Sequence, residues 1–142
     1  MANALYDPGR EGFLGGDIDW DADNIKVCLV DTGSYSFSAA HQYMNYDTVP
    51  SAAQIAMSAN LSSKTKTNGV ADAADVTFSS VSGNQSEALI IFADGGDGGT
   101  SQSGTNDLLI AYIDTASGLP VTPNGGDIGI TWDSGANKIF KL

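Results

Sequence analysis

Along much of this chain apolar side chains recur at every second position, the period of a strand with one face turned inward. Residues 25–31 set Ile25, Val27 and Leu29 on one face and Lys26, Cys28 and Val30 on the other. The segments 54–60, 61–67 and 75–81 alternate polar and apolar residues and predict antiparallel strands. Two uninterrupted apolar runs, Ala88-Leu89-Ile90-Ile91-Phe92-Ala93 and Leu108-Leu109-Ile110-Ala111-Tyr112-Ile113, predict central strands over 87–94 and 108–115. Residues 127–133 and 138–142 predict a closing hairpin across Ser134-Gly135-Ala136-Asn137. About eight short strands with turn signals between them give an all-β fold class, a compact antiparallel β-sandwich or barrel.

Two short helices are predicted in the N-terminal half. One has Asp7 as its N-cap and Pro8 at the first helical position, and it stops at Gly15-Gly16. The other lies within 37–46, ahead of the turn at Pro50. The expected organisation is an N-terminal arm, residues 1–16, free to reach a neighbour, followed by a single β domain over 17–142. The stretch from Asp94 to Asp107, rich in Gly, Ser and Thr, falls between the two apolar runs and predicts a long, solvated hairpin loop.

Composition narrows the function classes. Six Lys and Arg against 17 Asp and Glu give a net charge of −11, which excludes the clustered cations that nucleic acid or an anionic membrane surface would require. No apolar run approaches the roughly 20 residues of a membrane helix. The first residues carry neither a basic nor an apolar region, so synthesis in a cytosol is expected and Asn60-Leu61-Ser62 and Asn84-Gln85-Ser86 are read as chance sequons. One cysteine, Cys28, and one histidine, His41, exclude an intramolecular disulfide and a thiolate metal cluster.

Four places carry candidate chemistry. Asp17, Asp19, Asp21 and Asp23 alternate as in a calcium loop, but Ala22 and Cys28 stand where such a loop needs Gly and Glu. The favoured alternative is an extended segment with Ile18 and Trp20 inward and the carboxylates outward. The loop from Asp94 to Asp107 lacks the Gly-Lys-Ser/Thr ending of a phosphate cradle, and a strand follows it where a dinucleotide fold has a helix. His41, with Ser36, Ser38, Tyr43, Tyr46 and Asp47 nearby, has the residue types of a triad but no framing signature. Cys28 sits inside a strand as a small hydrophobe, with Lys26 on its face. Trp20, Trp132 and five tyrosines offer rings for sugar stacking without being enriched, and nothing selects a carboxylate pair for glycoside hydrolysis. No catalytic, cofactor-binding or metal residue is therefore assigned, and an enzyme is not expected.

Several stretches resemble a family of small structural proteins of tailed-bacteriophage virions. They include Ala2-Asn3-Ala4-Leu5-Tyr6-Asp7 with Gly9-Arg10-Glu11, Asp17-Ile18-Asp19-Trp20, Ile25-Lys26-Val27 and Leu29-Val30-Asp31-Thr32. The second half adds Gly69-Val70-Ala71-Asp72-Ala73-Ala74-Asp75-Val76-Thr77-Phe78 and Ile110-Ala111-Tyr112-Ile113-Asp114-Thr115-Ala116. The end contributes Gly118-Leu119-Pro120-Val121-Thr122-Pro123-Asn124-Gly125-Gly126-Asp127-Ile128, Thr131-Trp132-Asp133 and Ile139-Phe140-Lys141-Leu142. The likeness spans nearly the whole chain and departs at 33–46 and in the loop after Asp94. It implies a virion protein without catalytic residues. The specific expectation is a capsid decoration protein made in the host bacterial cytoplasm. Its partners would be the major capsid protein and, in a homotrimer, its own copies. The alternatives are a tail, neck or head-fibre component, or a carbohydrate-binding adhesin module.

Overall fold

The apolar runs at 88–93 and 108–113 leave almost no polar side chain on either face, so a sheet built from them must be covered on both sides. The computed structural model, which describes residues 3–95 and 107–142, has that construction. The strands are β1 (Ala4–Leu5), β2 (Ile25–Val30), β3 (Gln54–Met57), β4 (Val70–Ala71), β5 (Val76–Phe78), β6 (Ala88–Ala93), β7 (Leu108–Ile113), β8 (Ile128–Ile130) and β9 (Phe140–Lys141). The single α-helix among the described residues is α1 (Asp7–Gly15). A five-stranded antiparallel sheet runs in the order β1-β7-β6-β2-β3, and two small sheets pair β4 with β9 and β5 with β8. The chain is mainly β, as its alternation predicts.

Each face of the large sheet has its own core. Val27, Leu29, Leu89 and Ile91 pack with Phe78, Ile128, Ile130 and both tryptophans, under the two small sheets. Cys28, Val30, Ile90 and Phe92 pack on the opposite side with Tyr6, Tyr35, Met44, Val49 and Ala53. The registers Leu29↔Leu89 and Cys28↔Ile90 keep these two sets on separate faces across β2 and β6. In β7 a bulge between the pairs Ile91↔Ala111 and Phe92↔Leu109 turns Ile110 and Ala111 into the same layer.

Helix α1 lies on β7. Its start differs from expectation: the N-cap is Tyr6, whose side chain makes no cap, and Asp7 is already helical, with its N–H donating to the Ala39 carbonyl at 2.7 Å. Pro8 occupies the first turn, where it deprives the helix of no bond. The helix stops at Gly16, whose φ of +82° is the left-handed conformation that glycine tolerates best.

The N-terminal segment is not a free arm. Ala4 and Leu5 pair with Tyr112 and Ala111, Tyr6 is fully buried, and α1 rests on the sheet through Gly9. Burial that deep makes the segment part of the core and binds it to the domain.

Three other expectations are corrected. Residues 37–46 form turns with one isolated bridge, Tyr43↔Leu108, because Tyr35, Phe37 and Met44 cover the sheet as single anchors and not as a helical stripe. Residues 61–67 are not a strand; they contribute one bridge, Thr65↔Asp72. The closing hairpin does not form: β8 pairs with β5 and β9 with β4, and the two small sheets thereby lay Val76, Phe78, Ile128, Ile130 and Phe140 over the same face of the large sheet.

Candidate functional site

The aspartate string is a turn, with its apolar residues inward and its carboxylates outward. Ile18 and Trp20 are buried, while Asp17, Asp19 and Asp21 are exposed. Asp23 Oδ2 accepts the Asp19 N–H at 2.8 Å, and Asp19 Oδ1 accepts the Ala22 N–H at 3.3 Å. Two lysines cross to it from the 64–66 segment. Lys66 Nζ lies 2.8 Å from Asp21 Oδ1 and 3.9 Å from Asp19 Oδ1, and Lys64 Nζ donates to the Asp23 carbonyl. The bond from Lys66, with a lesser contribution from Asp19, holds the Asp21 carboxyl below its ordinary value; the same contact raises Lys66. Burial lowers Lys64 despite its three aspartate neighbours. The two ammonium groups thus offset part of the negative charge of this turn.

Of the stretch from Asp94 to Asp107, only Asp94, Gly95 and Asp107 are described; the loop between them lies outside the described residues. Asp107 is buried, and its Oδ1 accepts the Gly95 N–H at 2.7 Å. Lys26 Nζ reaches Asp94 Oδ2 at 3.8 Å, so it turns to the loop base and not to the thiol of Cys28. Cys28 is fully buried, and that burial pushes its thiol well above the ordinary range.

The residues around His41 do not assemble into a triad. Ser36, Ser38 and Asp47 are exposed, and none of them bonds to the imidazole among the described residues. His41 Nδ1 instead lies 2.8 Å from the Tyr35 hydroxyl, which lies 2.9 Å from that of Tyr6. Both tryptophans are committed to the core. The Trp20 indole N–H donates to the Asp72 carbonyl at 3.2 Å and that of Trp132 to the Ala74 carbonyl at 3.0 Å, so neither ring is free to stack on a sugar.

Sequence reasoning passed over one surface. Leu14 is 90% exposed and Leu142 60%, the two large hydrophobics so exposed among the described residues. They share a groove of about 350 Å³ with Leu5, Phe13, Arg10 and Lys141. Neither Arg10 nor Lys141 makes an ion pair among the described residues. A signal was present: Phe13 and Leu14 are adjacent in a helix whose Gly9 and Gly12 face the sheet, so Leu14 has to point elsewhere. No helix of the described residues is long and apolar enough to cross a membrane. No family model matches the chain, and no curated protein matches it.

Proposed function

We propose that this protein is a structural component of a tailed-bacteriophage virion, a decoration protein that binds the outside of the head shell and reinforces it. The observation that carries this reading is the exposed Leu14–Leu142 groove edged by Arg10 and Lys141, an apolar surface of the kind proteins keep for protein partners. The resemblance of several stretches to small virion proteins supports that compartment. A sheet covered on both faces is a rigid plug, suited to filling a depression between capsid subunits. The net charge of −11 keeps free copies apart until an acceptor surface offers contact. The partners are the major capsid protein and, in a homotrimer, further copies of this chain.

Copy number in purified virions tests the proposal, by gel densitometry against the major capsid protein. A ratio near one, or a simple fraction of it, is expected. A handful of copies would assign the protein to the neck, tail or a head fibre. Absence from the particle would overturn the virion reading.

A further inference from the structure

A buried chain of hydroxyl and imidazole groups remains that shell binding does not use. Tyr6 is fully buried and Tyr35 nearly so, their hydroxyls 2.9 Å apart, and His41 Nδ1 closes the chain 2.8 Å from Tyr35 at the half-buried end. Tyr6 also anchors the N-terminal unit. Its N–H donates to the Ile110 carbonyl at 3.0 Å, and its carbonyl accepts the Arg10 N–H at 3.1 Å, tying β7 to the start of α1.

The proton count along this chain depends on the charge of His41. With the imidazole neutral and Nδ1 accepting, Tyr35 donates to His41 and Tyr6 donates to Tyr35, so each phenol proton has an acceptor. A protonated imidazole donates at Nδ1, and the Tyr35 oxygen must accept. One of the two phenol protons is then left without an acceptor in the interior, since among the described residues neither hydroxyl has a further partner.

The groups packed around the chain offer no relief. From β7 comes the Tyr112 phenol, which burial raises, with Asp114 and Glu87 adding to the shift; from β2 comes the neutral Cys28 thiol. Asp7 meets this region through its backbone N–H on the Ala39 carbonyl, and Asp47 is exposed. Among the described residues no carboxylate or ammonium bonds to Tyr6, Tyr35 or His41.

We infer that Tyr6, Tyr35 and His41 form a proton-reversible latch, in which protonation of His41 reverses the hydrogen-bond chain and loosens β1 and the start of α1 from the sheet. Burial independently holds His41 below its ordinary value and pushes Tyr35 up to about 12, both favouring the uncharged, closed form. A base depressed in the folded state takes its proton more readily when unfolded. The stabilisation is therefore present above the ordinary imidazole value and lost as pH falls below it.

Amide exchange and imidazole titration by NMR on the full chain test this. From about pH 8 to about pH 5.5, protection of the Tyr6, Asp7 and Arg10 amides, corrected for intrinsic rates, should fall roughly tenfold relative to β6, the size expected for one buried donor left unpaired. The variant His41→Gln, which accepts from Tyr35 but cannot ionise, should abolish that pH dependence. Tyr35→Phe should raise the His41 midpoint toward its solution value. Unchanged protection while His41 titrates, or the same loss in His41→Gln, would overturn the latch. Should His41→Gln fail to fold, a His41 midpoint unmoved by Tyr35→Phe would do so equally.

Discussion

Helix α1 approaches β7 more closely than any side chain at the crossing would permit, and Gly9→Ala measures how much depends on that approach. A Cβ at position 9 would stand 2.4 Å from the Leu109 carbonyl oxygen and 3.1 Å from Ile110 Cα, where ordinary contact begins at 3.4 Å. Both atoms belong to the backbone of a buried strand, so the helix must retreat by about 1 Å. Overpacking of this kind costs about 1–3 kcal/mol, and a backbone obstacle puts the site at the upper end. Alanine regains about 1 kcal/mol of helix propensity over glycine. The expected net loss is about 2 kcal/mol, or roughly 6 °C in Tm for a domain of this size. Urea melts followed by circular dichroism read the loss directly, with m unchanged. Gly15→Ala, on the same helix, meets nothing nearer than Asp17 Oδ2 at 3.5 Å and should leave stability equal or slightly raised. If Gly9→Ala were as stable as the parent, or Gly15→Ala equally damaged, the helix would not be seated as described.

Deleting residues 1–16 removes Tyr6, β1 and α1 from the core and should cost more than about 3 kcal/mol. Thermal melts should lose their cooperative transition, and a truncated chain with the parent Tm would refute the seating of β1 and α1 on β7. Cys28, fully buried with its thiol held protonated, should react with Ellman's reagent only as fast as the chain unfolds; rapid stoichiometric labelling at neutral pH would contradict its placement.

What the sequence reveals and conceals follows the range of the interaction concerned. Strands β2, β6 and β7 are legible because alternation, or an unbroken apolar run, is a property of consecutive residues. Helix α1 is legible from Pro8 and the Gly15-Gly16 stop, and only its cap slips by one residue. Partner choice is not local. Ser134-Gly135-Ala136-Asn137 is a sound turn, yet Ile130 pairs with Val76 and Phe140 with Ala71, because those strands complete the layer over Val27 and Leu29. Residues 37–46 are no helix because the sheet needs only separate anchors there, Phe37 and Met44 beside Tyr35, and an irregular segment can supply them without a helical period. At the aspartate string, Ile18 and Trp20 inward is legible from the pattern, but the arrival of Lys64 and Lys66 is not. The latch joins positions 6, 35 and 41 only through the fold, and no spacing announces it.

The pairing of Ala4 with Tyr112 sets a timetable for the nascent chain. Strand β1 emerges first and must wait for β7, over a hundred residues later. At roughly 5–20 residues per second that wait is on the order of 5–20 s. Strand β4 waits similarly for β9, since Val70 pairs with Lys141. Strand β6 waits far less, about 20 residues or on the order of 1–4 s, but over that time its Ala88–Ala93 edge lacks its β7 partner, so the sheet closes only once β7 has emerged and this edge is the one a chaperone would have to shield.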